Sequence, residues 1–377
     1  AFQTSVVQKC FPDYEVESYL MLADKSKKAS IDGLNQLFQI SDKNSRTGIE
    51  VKVNSIAEIG DPIMEDVNLT QLINDIISKD IHTIHGLSFN QLVKNFTELY
   101  VTENKINWEH YNGHVCRECW IQQFEISEAD FLRPNIYELW NFKKQKKLFK
   151  SNIFFLDQLQ HRDFQDTSET HLTVQNRQWL QIKKRVQQSL NEKVDFYLDV
   201  ENLKENMMQW KFPLHFIDFE TCTSALPFTK GRHPYEQIAF QYSHHIIFSD
   251  GTIEHKSEYI NAEPGKFPNY DFVRKLKQDL DSDRGSIFKY ATHENSILNA
   301  IYDQLIDSDE VDKTELMDFI ISITNKKENN KLVRKGDRDM IDMWDLVKKY
   351  FYHPYMKGSN SIKVVLPTII KICEYVK

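Results

Sequence analysis

Few cysteines, no long apolar run and no excess of basic charge set the first limits on this chain of 377 residues. Five cysteines without a secretory signal do not make the disulfide framework on which small secreted domains depend. No apolar stretch approaches the ~20 residues that a membrane-spanning helix requires. The expected setting is therefore cytoplasmic and reducing, with no membrane partner. A net charge of -8 and a pI near 5.9 argue against a general electrostatic grip on nucleic acid. A local basic groove is still compatible with them, because steering depends on where the charges lie. A Gly-rich phosphate loop is missing, which speaks against a phosphotransferase. Internal repeats and low-complexity tracts are missing too.

What is present is the texture of a soluble globular protein, 27% charged and 41% hydrophobic, long enough for two or three domains with their own cores. It opens on "AFQTSVVQK" and closes on "TIIKICEYVK" inside an apolar helical pattern, so both ends read as cut from something longer. Three units are expected. Residues 1–104 begin with a short amphipathic helix, then a strand in "YEVESYLMLADKS" and a turn at Asp32-Gly33. Helices follow in "EDVNLTQLINDIIS", with Thr70 or Asn68 as N-cap, and in "SFNQLVKNFTELYVT". Residues 105–210 form a helical connector whose most convincing helix is "SETHLTVQNRQWLQIKKRVQQSL". Its basic stretches, residues 141–150 and 181–186, read as solvated helix faces ahead of phosphate tracks.

From Lys211 the texture becomes α/β. "FPLHFIDFE" is a strand, followed by a hairpin turning at Asp250-Gly251, a helix in "FPNYDFVRKLKQDLDS" and a short strand in "GSIFKYA". A helix in "THENSILNAIYDQL", a strand edge entering a helix in "DMIDMWDLVKKYFY" and a last helix in "SNSIKVVLPTIIKIC" complete a mixed sheet flanked by helices.

Within this region Asp218 and Glu220 lie two residues apart at the end of the first strand, so they project from one face. Like charges held that close need a proton or a cation between them. A hard divalent ion such as Mg²⁺ or Mn²⁺ suits such oxygen ligands, and ion pairs about 3.5–4 Å apart serve in-line attack on phosphodiesters. A strand end with both acids in solvent is the plain alternative. Glu294 opens a helix directly after a buried strand, where it reaches toward the same sheet end. Asp342 and Asp345 stand at another strand end, whereas Asp337 and Asp339 read as turn residues.

This order of acids resembles the DnaQ-like (DEDD) 3'–5' exonuclease branch of the RNase H-like fold. "IDFET", "PYEQIAFQYS" and "YHPYMKGSNSIKVVLP" resemble, more closely, a bacterial domain-of-unknown-function family assigned to that fold, over about Pro213 to the chain end. The resemblance implies Asp218 and Glu220 as first-motif metal ligands and Glu294 as the second-motif acid, together acting as the catalytic set. Exonucleases of this type carry a last metal-binding Asp downstream of the "SIKxVLP"-like segment, and this chain stops shortly after it. The domain is therefore expected to be truncated at its C-terminal end, or to build its site differently, with Asp342 as a second-shell or substitute ligand.

The loop "TSALPFTKGRHPYEQIAFQYS" places Lys230, Arg232 and His233 near the proposed metals, with Arg232 suited to clamp a phosphate and Tyr235 to stack on a base. A hairpin cover shaped by its Pro and Gly residues is the alternative. Gln237 and Gln241 alternate with apolar residues and are expected to face the site. Lys357 and Lys363 are available for phosphate, and Gly358 permits a close backbone approach.

"GHVCRECW" holds one CxxC, Cys116 and Cys119, with His114 nearby. A zinc or cluster site wants four ligands, so a plain thiol pair beside Trp120 is favoured over a structural metal. The N-terminal region resembles the segment after the catalytic strands of RecB-like PD-(D/E)xK nucleases, which implies a remnant of that domain over 1–104 with Gln3 as its helix glutamine. Glu50 and Lys52 form a Glu-x-Lys out of order for it and read as coincidence. The expected function is a metal-dependent nuclease acting on DNA or RNA, exonuclease-like. The alternative is a catalytically inactive nucleic-acid-binding or scaffold module of a larger defence or repair protein.

Overall fold

A computed structural model describes residues 1–41, 47–79, 86–103, 121, 125–160, 164, 172–190 and 195–374. The Cys116/Cys119 pair with His114 and Trp120 lies outside the described residues. Cys10, Cys222 and Cys373 are free thiols. No described helix is long and apolar enough to cross a membrane.

Helix α1 (Phe2–Cys10) precedes strand β1 (Tyr19–Ala23), the hairpin of β2 (Phe38–Ser41) and β3 (Gly48–Val51), and strand β4 (Met64–Asn68). Strand β4 pairs antiparallel with β1, so the helix expected from Glu65 starts later, as α2 (Thr70–Ser78). The edge of β1 needs a hydrogen-bonding partner, and that tertiary demand overrides the local pattern of "MEDVN". The N-cap is Leu69, with no side-chain cap, in place of the expected Thr70 or Asn68, although Asn68 Oδ1 accepts from Thr70 N at 2.9 Å. Helix α3 (Phe89–Thr102) opens on a Ser88/Gln91 capping box. The core here is small: Ala29, Leu34 and Ile63, with Leu226 packing in from the C-terminal unit. Gln3 is exposed on α1, and Lys52 pairs with Glu50 at 3.1 Å in solvent.

The described part of residues 105–210 contains short helices α4 (Glu128–Phe131) and α5 (Gln145–Lys150) and the long α6 (Val174–Ser189). Ile136, Leu139, Phe154, Leu156, Phe164 and Ile182 form its core. Helix α6 starts at Val174, with Thr173 as N-cap, so Leu172 and Thr173 of the expected helix lie outside it, and its buried residues are Arg177, Gln178, Gln181, Ile182 and Arg185. That face reads backbone polar groups. Gln178 Nε2 donates to Trp140 O at 2.9 Å, Gln181 Oε1 accepts from Trp140 N at 3.2 Å, and Arg185 pairs with Glu138 at 2.8 Å. Of the basic stretch at 181–186, Lys183 is solvated and Arg185 is buried.

Strand β5 (Tyr197–Leu198) and helix α7 (Val200–Met207) lead into the main sheet. Its strands are β6 (Leu214–Cys222), β7 (Ile238–Ile247), β8 (Ile253–Ile260), β9 (Ile287–Lys289) and, after the hairpin of β10 (Asn325–Glu328) and β11 (Lys331–Lys335), β12 (Ile341–Asp342). The order is β12-β9-β6-β7-β8, with β6, β9 and β12 parallel and β6, β7 and β8 antiparallel. This is a mixed α/β unit with a mixed five-stranded sheet. Helices α8 (Asn269–Leu280), α9 (His293–Ile306) and α10 (Lys313–Ile323) cover one face, where Ile217, Phe219 and Tyr242 meet Phe272, Leu298 and Ile320. Helix α11 (Met343–Tyr350), strand β13 (Phe351–Tyr352) and helix α12 (Ile362–Ile372) complete the chain. Helix α10 and the β10–β11 hairpin, over 313–335, had no counterpart in the sequence reading.

On the covered face, buried His215 and His244 stand Nδ1 to Nε2 at 2.9 Å, with Asp283 at 2.8 Å from His215 and Ser257 at 3.0 Å from His244. Burial lowers the affinity of both rings for protons, and His244 is brought down to about 4. The unfolded chain takes up protons below about 6.5 that the folded rings refuse. In a Glu294→Gln background, which removes an opposing carboxyl titration, stability is therefore expected to rise as pH rises from about 4 to about 6.5. Urea midpoints across that window check this, and a flat profile contradicts it.

Candidate functional site

The parallel strands β6, β9 and β12 end at the same edge of the sheet. Their registers align Phe216 with Phe288 and Ile341 with Phe288, and Asp342 with Lys289. Lys289 and Asp342 therefore stand at one level, with Asp218 just beyond it on the neighbouring strand. Asp218 and Glu220 alternate with buried Ile217 and Phe219, so both carboxylates project on the exposed face. Gln241 is the cross-strand partner of Glu220 and shares its face. Gln237 lies just before β7, where its carbonyl is taken by Asn269 and Gln304.

Glu294 enters from the first turn of α9 and is 3% exposed. Its Oε2 has no hydrogen-bond partner among the described residues. Burial, followed by the charge of Asp218, pushes its carboxyl up to about 7, with Lys289 opposing and Asp342 adding to the rise. The charges of Asp218 and Asp342 are thus felt at Glu294.

Asp342 is heavily committed. Its Oδ1 accepts from Trp344 N and Ala291 N, both at 2.9 Å, capping α11 and holding the β9–α9 turn. Its Oδ2 stands 3.3 Å from Lys289 Nζ, and that ammonium also donates to the Ala291 carbonyl. Asp342 therefore positions the turn that delivers Glu294. Asp345 pairs with Lys348 instead. Asp337 lies at the turn, but Asp339 is partly buried and accepts from Asn325 Nδ2 at 2.8 Å.

Between these anchors Ala291 adopts φ 69°, a left-handed conformation that costs a residue with Cβ about 1–2 kcal/mol. Ala291→Gly is expected to stabilise the chain by about 0.5–1 kcal/mol, after allowing for glycine's greater freedom when unfolded. Thermal unfolding checks this, and a destabilised variant contradicts it.

Two residues at this edge escaped the sequence reading. Lys289 is buried at the sheet end (3% exposed). A lysine closing an otherwise apolar strand, five residues before Glu294, was the available signal. His293 presents Nε2 to Thr221 Oγ1 at 3.2 Å, tying α9 to the end of β6.

The substrate residues expected in the loop after β6 are distributed differently. Arg232 stacks on Phe267, 3.8 Å from the ring centroid, and bonds Glu236 Oε1 at 3.3 Å and Tyr270 OH at 3.2 Å. It braces the loop against α8. The loop is also laced to the N-terminal unit: Ala29 N donates to Arg232 O at 2.9 Å, Gly231 N to Ala29 O at 2.7 Å, and Lys230 N to Asp32 Oδ1 at 2.8 Å. Tyr235 is half exposed, with Lys25 over its ring at 5.4 Å. Lys363 is exposed on the first turn of α12. Lys357 lines a cavity of about 900 Å³ shared with Tyr137, Trp140 and Tyr355 of connector and C-terminal segment. The close approach that Gly358 permits is to the Glu138 carbonyl, which a Cβ there would meet at 1.9 Å.

The stretch that carries this edge has relatives. Residues 215–361 match the family model described as a domain of unknown function (DUF2779). The match covers less than half of the chain, from the second residue of β6 to the N-cap of α12. It includes Asp218, Glu220, Lys289, Glu294 and Asp342. No curated protein and no solved structure matches. In the matched segment, then, three parallel strand ends and one helix start deliver carboxylates and a lysine to one edge.

Proposed function

We propose that the DUF2779 segment is a divalent-cation-dependent nuclease of RNase H-like, DnaQ-like character, hydrolysing phosphodiester bonds of DNA or RNA. The observation that carries this reading is the orphaned Oε2 of buried Glu294, a carboxyl whose proton affinity is raised by burial and by Asp218. A protein tolerates a buried unsatisfied carboxylate at a cost of several kcal/mol only where something offsets it. A hard cation suits the donor set of Asp218, Glu220 and Glu294. Once bound, such an ion would supply charge stabilisation and an acidified water for attack on phosphorus.

The chain's own residues have separate tasks. Asp218 and Glu220 offer exposed oxygens from a rigid strand. Glu294 offers one buried oxygen from a turn that Asp342 and Lys289 hold in place. Among the described residues no three His, Cys, Asp or Glu side chains already form a metal cage, so ligand and cation would complete the site together.

Lys289 favours a second reading. Its ammonium already compensates Asp342 at 3.3 Å, as in a site kept for binding nucleic acid without cutting it. Metal-dependent melting separates the two. Mg²⁺ or Mn²⁺ at about a hundred times its Kd is expected to stabilise the chain by about 2.7 kcal/mol, and Asp218→Ala to abolish the shift. No shift in the parent chain would support the binding module.

A further inference from the structure

The β10–β11 hairpin carries five basic side chains, Lys326, Lys327, Lys331, Arg334 and Lys335, against one acid, Glu328. In a chain of net charge -8 this is a local reversal of sign. The hairpin is held firmly. Asn329 and Asn330 both take positive φ (49° and 63°), closing a tight two-residue turn. Arg334 spends its guanidinium on the scaffold, donating to Asn299 Oδ1 at 2.7 Å and Thr324 Oγ1 at 3.0 Å. Gly336 seats the base against α10, since a Cβ there would meet the Ser322 carbonyl at 2.1 Å.

The four lysines are not spent in this way. All are exposed, and among the described residues none forms an ion pair. Lys327 and Lys335 line a cavity of about 760 Å³, together with Lys349 of α11, Thr292 at the start of α9, and the Lys289–Asp342 pair. One wall of the cavity is therefore the bracket that positions Glu294.

Four acids line it too, and two of them are paired with lysines. Asp342 is paired with Lys289 and Asp345 with Lys348. Asp339 accepts from Asn325, and burial raises its carboxyl pKa. Asp337 and Asp339 are left against Lys327, Lys335 and Lys349, an excess of one cationic group in a cavity whose wall also holds the Lys289–Asp342 pair. A solvated charge run would not need this rigid base or this shared wall.

We propose that the β10–β11 hairpin is a phosphate guide, holding the backbone of a nucleic-acid strand through Lys327 and Lys335, with Lys349 opposite, and leading it to the Asp218–Glu294 edge. This rests on the nuclease reading for the strand's destination but makes its own demand on binding. Backbone contacts by lysine carry affinity without sequence preference, and each appears in the salt dependence as about 0.7 of a unit of slope for single strands.

The test is fluorescence anisotropy of a labelled oligothymidylate of about 20 nucleotides, long enough to span several such contacts, with the full chain in EDTA over a range of KCl. Lys327→Glu/Lys335→Glu is expected to weaken binding about tenfold or more near 0.1 M salt and to reduce the slope by about 1.4, with an unchanged melting temperature. Lys256→Glu, on the far edge strand β8, is expected to bind as the parent does. Equal affinity and slope in the double variant, an equal loss in Lys256→Glu, or no binding by the parent would each overturn the proposal. Cleavage in Mg²⁺ or Mn²⁺ is read separately. Parent cleavage abolished by Asp218→Asn, with binding indifferent to the double variant, removes the guide and keeps the nuclease. Binding that needs the lysines, without any cleavage, removes the nuclease and keeps the guide.

Discussion

Glu294→Gln is expected to abolish cleavage, by about a thousandfold or more, while making the protein more stable at pH 8. The loss of rate follows from removing one of the charged oxygens on which transition-state stabilisation depends, a loss of about 4 kcal/mol by analogy with other electrostatic groups. The gain in stability follows from the carboxyl's position. Its proton affinity in the folded chain is raised to about 7, first by burial and then by Asp218. Between the unfolded value near 4.5 and about 7 the folded chain binds more protons, so this residue's contribution to stability falls as pH rises through that window. Above pH 7 the buried charge costs on the order of 1–3 kcal/mol, which neutral, isosteric glutamine avoids. Urea unfolding at pH 5 and pH 8, set beside a nuclease assay, reads both halves. An active variant would remove Glu294 from the site, and one less stable than the parent at pH 8 would show that its charge is already compensated.

The second large effect lies away from the acids. Arg177→Met is expected to destabilise the chain by about 3 kcal/mol. Arg177 is 2% exposed on α6 and reaches into the C-terminal unit. It donates to the carbonyls of Val347, Lys348 and Phe351 at 3.2, 2.9 and 2.8 Å, at and just beyond the end of α11, where Val347 O also accepts from Phe351 N. Its other arm donates to Asn360 Oδ1 at 2.6 Å. No carboxylate pairs with it among the described residues, and burial brings its pKa down to about 10. Methionine fills the volume and relieves that buried charge, yet takes the Arg177 donor from Lys348 O, Phe351 O and Asn360 Oδ1, each worth about 1–3 kcal/mol, while Val347 O keeps Phe351 N, so the acceptors dominate. A change below about 1 kcal/mol in the urea-derived stability would show that water replaces the guanidinium. The same residue also supports the site from a distance, since the Asn360 carbonyl accepts from Tyr290 OH at 2.6 Å, next to the strained Ala291.

The acids at the sheet edge were legible because each had a local mark. Asp218 and Glu220 broke an apolar alternation, and Glu294 opened a helix after a buried strand. Lys289 carried a weaker mark of the same kind. The uses of Arg232, Asp342 and Gly358 were not legible. An arginine in a loop reads alike whether its partner is a phosphate or Phe267 and Glu236, and the partner is set by which helix packs beneath. Asp342 read as a ligand from its place at a strand end, while its oxygens were taken by Trp344 N at the start of its own helix and by Lys289 and Ala291 of the β9 segment. Helix α6 was legible as a helix but not as a polar reader of backbone, since its periodicity reports one face without saying what covers it.

Sequence alone determined the alternation of strand and helix from β6 to α9, the Asp250-Gly251 turn and the common face of Asp218 and Glu220, but not α10 or the β10–β11 hairpin. These depend on side-chain period and on turn chemistry within a few residues. Tertiary structure decided the strand order, the pairing of β4 with β1, the Lys289–Asp342 bracket and the anchorage of the loop to the N-terminal unit. Each of those is a contact between segments tens to hundreds of residues apart, and the free energy of such a contact is absent from any local window of the chain.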